Sequence, residues 1–278
     1  MNRNELPFGV LVRRWRLHRR MTQMDFAAAA STSTRHLSYL ETGRAQPSRE
    51  MVMRLAQCLE IPLRERNALL LSAGYAPGFT ERPLGELTAA RRAIEQILEA
   101  HKPYPAFAID RHWNIVLSNR AIPQIYVDVA PELMRPPVNA IRLTLHPRGM
   151  APRIVNFAEW RQHVIAELKR HIDARPDPGT EALLAEVRAY PSPPTRVEVE
   201  AEEGAQRYAT PLKIATDDGI VSFLGTTTVF GTPMDVTLSE LALEMLFPAD
   251  ARTAAIVNAL SSGERVAVPH GTVLVEAR

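Results

Sequence analysis

Thr34, Arg35, Ser38 and Tyr39 bring hydroxyl donors, a guanidinium and an aromatic ring into one short stretch. Leu37 and Leu40, three residues apart, form the inward face of the same helix, which turns those four outward. Such a set suits nucleic acid. Arg35 is the expected base reader, because a guanidinium offers two parallel donors that match the two major-groove acceptors of guanine. Thr34 enters the groove beside it, and Ser38 and Tyr39 follow a turn later to reach bases or backbone. Arg44 and Ser48, just beyond the helix, are better placed for phosphates.

The elements that must position these residues are legible. Thr22 is an N-cap for a helix through Phe26 and an alanine run, whose small side chains let a second helix approach closely. Residues 30–32 are short and polar enough to be the turn, and Ser33 caps the helix that carries Arg35. A capped helix, a tight turn and a helix with a donor-rich exterior are the parts of a helix-turn-helix. Residues 7–20 precede it as a helix with Phe8, Leu11 and Trp15 inward and Arg13, Arg14, Arg16, Arg19 and Arg20 around that face. Ser48 caps a fourth helix, and residues 63–73 make a fifth, stopped by Gly74. An all-α, five-helix domain over residues 1–75 is expected.

The stretch resembles the phage-repressor-like helix-turn-helix of the XRE family. The resemblance rests on Thr22-Gln23, Phe26-Ala27, Ser33, Leu37-Ser38, Leu40-Glu41, Gly43 and Pro47-Ser48 at the family's offsets. It implies double-stranded operator DNA as a partner, read by a homodimer, with Gln23 orienting on a phosphate at the start of its helix. One departure stands out: the family's turn usually carries Gly where this chain has Ser31. Positive φ at that position would strain a residue with a Cβ.

Charge agrees with this placement. The whole chain of 278 residues has a formal net charge of only +2, yet residues 1–75 hold twelve Arg, no Lys and six acids. The remainder is acidic, with twenty-one basic and twenty-five acidic residues. The basic part is where phosphates would bind. Cys58, the single cysteine, sits in a helical pattern beside Leu55 and Leu59, which reads as a structural thiol. No apolar run is long enough for a membrane span, the start is not a signal peptide, and a cytoplasmic protein without cofactors is expected. Enzyme signatures are missing: there is no HExxH, GxSxG, P-loop or GxGxxG after a strand, and His163 and His171 lack an acid or Cys partner for a metal. An enzyme is not expected.

Residues 76–104 read as a Pro/Gly-punctuated junction followed by a connecting helix over 88–101. Residues 105–278 then read as an α+β domain. Strands are expected at 106–109, 114–119, 141–145, 195–200, 208–215 and 220–230, the last two joined by a turn at Asp217-Asp218-Gly219. Helices are expected after Asn119 and after Asn156, the latter with Glu159 as a capping-box partner, and over 180–190, 239–246 and 250–260. Residues 265–276 either add a strand or fray.

Three strings are similar to MmyB-like regulators: 105–119, from Pro105 through Trp113 to Asn119; Leu145-His146-Pro147-Arg148-Gly149 with Asn156-Phe157-Ala158-Glu159-Trp160; and 230–250, from Phe230-Gly231-Thr232-Pro233 to Asp250. This resemblance implies a PAS-like ligand-binding domain with an apolar cavity and a fatty-acid-like occupant. Trp113, Leu143, Phe157, Trp160, Phe223 and Phe230 are the large apolar residues expected around it. Arg153, Asn119 and His146 are the candidates for a carboxylate head, since such a head calls for a cation or several donors. The competing reading is a DNA-binding protein whose second domain has a filled core and serves only for dimerisation or partner docking.

Overall fold

The computed structural model describes residues 6–193 and 209–262. It divides into two compact units, residues 1–87 with 230–240 and residues 88–229 with 241–278.

The first unit contains α1 (Phe8–His18), α2 (Gln23–Ala29), α3 (Thr34–Glu41), α4 (Arg49–Cys58) and α5 (Leu63–Ser72). Phe26, Leu37, Leu40, Leu55 and Leu70 are sealed from solvent in one core. All five helices end by the same device. Arg20, Ser31, Gly43, Glu60 and Gly74 adopt φ between 50° and 85°. The amide after each then bonds a carbonyl five residues back: Met21 to Arg16, Thr32 to Ala27, Arg44 to Tyr39, Ile61 to Ala56 and Tyr75 to Leu70. These are left-handed C-terminal caps. Ser31, at φ 51°, carries the strain expected of the turn. Gly9 is required for a different reason. A Cβ there would lie 2.3 Å from the Leu40 carbonyl oxygen and 2.5 Å from that of Glu41. Glycine therefore sets how closely α1 crosses α3.

Residues 230–240 belong to this unit. They contain α11 (Val236–Ser239), capped by Asp235, which accepts from the Thr237 amide at 2.9 Å. Asp235 also accepts from the Thr80 hydroxyl, and Arg64 donates twice to Glu240 at 2.9 Å while pairing with Glu81 at 2.6 Å.

The second unit begins with α6 (Thr88–Ala100). It then runs β1 (Ala106–Ile109), β2 (Ile115–Ser118), α7 (Ile122–Ile125), α8 (Ala140–Leu145), α9 (Phe157–Ala174), α10 (Pro178–Ala189), β3 (Leu212–Thr216), β4 (Gly219–Val229), β5 (Ala242–Pro248) and α12 (Ala251–Ser262). The sheet is antiparallel in the order β2-β1-β5-β4-β3. With its helices it forms the expected α+β, PAS-like domain. Pro211 precedes the edge strand β3, where its missing N–H breaks no ladder, and Gly219 (φ 121°) closes the turn after Asp217-Asp218.

Two expected elements change type. Residues 239–246, rich in good helix formers, are expected as a helix, but most of them form the central strand β5. Pairing with β1 on one side and β4 on the other outweighs local propensity. Residues 141–145 are expected as a strand and lie in α8, because Asn139 caps them, accepting from the Arg142 amide at 3.1 Å. Asn156 does not cap α9. Its amide nitrogen donates to Glu159 and to the Pro211 carbonyl, and its oxygen accepts from the Lys213 amide. Nor does Asn119 cap α7, which starts after Ala121 without a side-chain cap. The strand expected at 195–200, the start of the one at 208–215 and the segment 265–276 lie outside the described residues.

Candidate DNA-reading face and ligand cleft

In the first unit the α2–turn–α3 segment is built from its caps. Thr22 accepts from the Asp25 amide and Ser33 from the His36 amide, each at 3.1 Å. Leu37 and Leu40 are fully buried, so α3 turns Thr34 and Arg35 fully outward and leaves Ser38 and Tyr39 half-exposed beside them. The Arg35 guanidinium lies 5.5 Å over the Tyr39 ring, and its Nε donates to the Tyr39 hydroxyl at 3.1 Å. The ring thus holds the arginine before any partner arrives. Arg44 is exposed, and the Ser48 hydroxyl caps α4 by accepting from the Met51 amide.

What locks α3 in place is Glu41, a residue whose role has no obvious mark in the sequence beyond its place in the motif. Its buried carboxylate accepts from Arg16 at 2.6 and 2.9 Å and from the Gln23 amide at 2.7 Å. Arg16 also donates to the Met21 carbonyl at 2.8 Å, and its pKa is raised, chiefly by the hydrogen bond to Glu41. One acid therefore ties α1, α2 and α3 together. Arg16 is not among the solvated arginines of α1, and the Gln23 amide is turned toward Glu41. Cys58 donates its thiol to the Ala29 carbonyl at 3.3 Å, a structural contact.

The second unit contains a cleft of about 180 Å³ between one face of α9 and the sheet. Trp160, His163, Val164 and Glu167 line it from α9, at spacings that share one helix face. Phe107 on β1, Thr227 on β4 and Glu244 on β5 line the opposite wall, where Glu244 is the cross-strand partner of both. Tyr126, Thr144 and Trp113 complete its polar lining. The indole nitrogens of Trp113 and Trp160 are buried with no hydrogen-bond partner among the described residues. Buried indole N–H groups ordinarily find one, so these two are exceptions within the packed walls around the cleft.

Trp113 is held in an unusual way. It sits at φ 66° in the β1–β2 turn, where Asp110 accepts from the His112 and Asn114 amides and from the Asn114 side chain. A bulky residue at positive φ is strained, and strain of this kind gathers at ligand clamps.

Electrostatics of the cleft centre on Glu244. Burial pushes its carboxyl up to about 7; the hydrogen bond it accepts from Thr227 at 2.8 Å opposes that rise, and the nearby Glu167 adds to it. His163 lies 3.6 Å from Glu167. Burial raises the Tyr126 phenol to about 12, and burial lowers the pKa of His171, whose ring packs 6.1 Å from Trp113. Among the described residues, no Lys or Arg lines the cleft.

Of the nine residues expected at a ligand, the cleft brings together Trp113 and Trp160. Leu143, Phe157 and Phe223 are buried elsewhere in the unit, and Phe230 falls in the first unit. Asn119 spends its oxygen on the Ala106 and Ala121 amides and its nitrogen on the Leu98 and Tyr104 carbonyls. Arg153 donates to the Ala215 and Val127 carbonyls, and His146 accepts from the Arg148 amide while packing edge-on to Tyr190. Sequence reasoning missed Glu244, Thr227 and Phe107, because their shared face exists only once β5 is a strand.

Among the described residues no cluster of three His, Cys, Asp or Glu suits a metal, and no helix is long and apolar enough to cross a membrane. A helix-turn-helix unit and an α+β unit with a cleft define a DNA-binding transcription regulator that carries a ligand-binding domain. Residues 7–69 match a helix-turn-helix domain family, and residues 90–260 match the MmyB-like transcription regulator ligand-binding domain. The second match spans well over half the chain, which belongs to the MmyB-like transcription regulators. No curated protein matches it.

Proposed function

We propose that the chain binds operator DNA as a homodimer and alters that binding when a small, mostly apolar molecule enters the cleft. Thr34 and Arg35 enter the major groove, Ser38 and Tyr39 follow, and Gln23, Arg44 and Ser48 approach the backbone. The observation that carries the sensing half is the cleft itself, walled by aromatic rings and by an acid on each of two facing elements. A domain meant only for docking would have no use for unfilled space inside it. Fatty-acid-like occupancy, implied by the family strings, fits the aromatic walls. The cation expected for its head is not in the lining, and Arg153 is engaged elsewhere.

Ligand acts by population shift, stabilising one arrangement of the reading heads over another. The connecting helix is the candidate lever by position alone. Residues 230–240 are the stronger one: they join β4 and β5, both of which line the cleft, and they belong to the compact unit that holds α3.

Native mass spectrometry of the purified chain, with organic extraction, tests the sensing half. A bound small molecule, lost from Gly225→Val, is expected. Gly225 lines the cleft, and an added Cβ there meets only Leu246, at an ordinary 3.7 Å, so the variant fills space without forcing the strand. Identical apo masses, together with operator affinity unchanged by Gly225→Val, would favour the docking module.

A further inference from the structure

The cleft's chemistry says more about its occupant than that it is apolar. Two carboxyl groups, Glu244 and Glu167, line it, and the basic side chain beside them is His163. The first comes from the middle of the sheet and the second from the facing helix, so each wall presents an acid to an occupant. Around these acids stand Phe107, Trp113, Tyr126 and Trp160. Acids within an aromatic wall attract a cation twice, by charge and through the ring faces. An anionic head would face the two acids without a Lys or Arg to offset them.

Size narrows the class further. A cleft of about 180 Å³ is close to the ~150 Å³ apolar cavity that accommodates a benzene ring. A ring or a short branched chain fits within that volume.

We propose that the cleft binds a small organic amine: a ring-sized apolar body with a protonated nitrogen near Glu244 and Glu167. This rests on the reading of the second unit as the ligand sensor, and it replaces a fatty acid with a ligand of opposite charge. Thr227 donates to Glu244 at 2.8 Å, and His163 lies 3.6 Å from Glu167.

The test is calorimetric titration of the full-length protein with three probes of similar size: tyramine, 4-hydroxyphenethyl alcohol and 3-(4-hydroxyphenyl)propionate. Decanoate is included as the acyl probe. Tyramine is expected to bind most tightly, and Glu244→Gln to weaken it by about tenfold or more, the effect of losing one charge-assisted contact, with the alcohol little changed. Equal or tighter binding of either carboxylate overturns the amine assignment and leaves the sensor reading standing. If no probe of any charge binds, and Gly225→Val leaves operator affinity unchanged, both fall. Should Glu244→Gln fail to fold, the ranking of the four probes on the unaltered protein decides alone.

Discussion

At the scale of single residues, two groups carry opposite kinds of information. Arg35 is exposed, stacked on Tyr39 and ready for a base edge, so Arg35→Ala should lose about 1–3 kcal/mol of preference for the operator. Competition binding against unrelated duplex would show it; equal weakening on every sequence would make Arg35 a phosphate contact. Glu244 is the reverse, a half-buried acid set among apolar neighbours. Its folded pKa, about 7, lies above the ordinary 4.5, so the folded state holds the proton more tightly than the unfolded chain. The stability this contributes is fully present below about pH 4.5 and is lost as pH rises through about 7. Thermal melts of the ligand-free protein should fall across that window, and Glu244→Gln should flatten the decline. The groups facing it are Thr227 and Phe107 on the neighbouring strands, Glu167 and His163 on α9, and Tyr126.

At the scale of elements, the helix-turn-helix was legible because its caps, breakers and periodic leucines agree with one another. Thr22, Ser33 and Ser48 cap as their types suggest, and the strain at Ser31 follows from the missing glycine. Ser31→Gly should therefore stabilise the unit by about 0.5–1 kcal/mol, the left-handed penalty reduced by the greater backbone entropy of glycine. Denaturant unfolding checks this, and a loss of stability would mean the hydroxyl or Cβ of Ser31 is in use. Gly9→Ala should do the opposite and reduce operator binding, because a methyl group there meets main chain of α3 rather than a movable side chain. The Glu41 hub was not legible. Its partners Arg16 and Gln23 come from two other helices, and nothing in local spacing marks a buried ion pair. Little of the cleft was legible: of the nine residues expected at a ligand, only Trp113 and Trp160 line it. Its acid was hidden, because Leu241 to Leu246 has helical propensity and becomes a strand only through its two neighbours.

For the whole molecule, the central question is how the two compact units communicate. Residues 230–240 interrupt the β4–β5 connection and are fastened within the first unit by Arg64–Glu240 and Thr80–Asp235. If this segment carries the signal, Arg64→Ala should leave ligand affinity and operator affinity nearly intact when each is measured alone. The factor by which one alters the other should shrink toward one. Linkage requires that factor to be the same in both directions, which gives an internal check. A coupling factor unchanged by Arg64→Ala would return the role to the connecting helix α6. The +6 formal charge of residues 1–75 also requires operator affinity to fall steeply with added salt, while ligand binding is much less affected.

The most direct measurement is selection of bound duplexes from a random pool by the full-length protein, followed by sequencing. One enriched motif with two-fold related halves is expected from a homodimer with a recognition helix in each half, and the motif should degrade with Arg35→Ala. A pool that stays random after repeated rounds, at salt low enough for phosphate binding, would contradict the assignment of α3 as a reader of sequence.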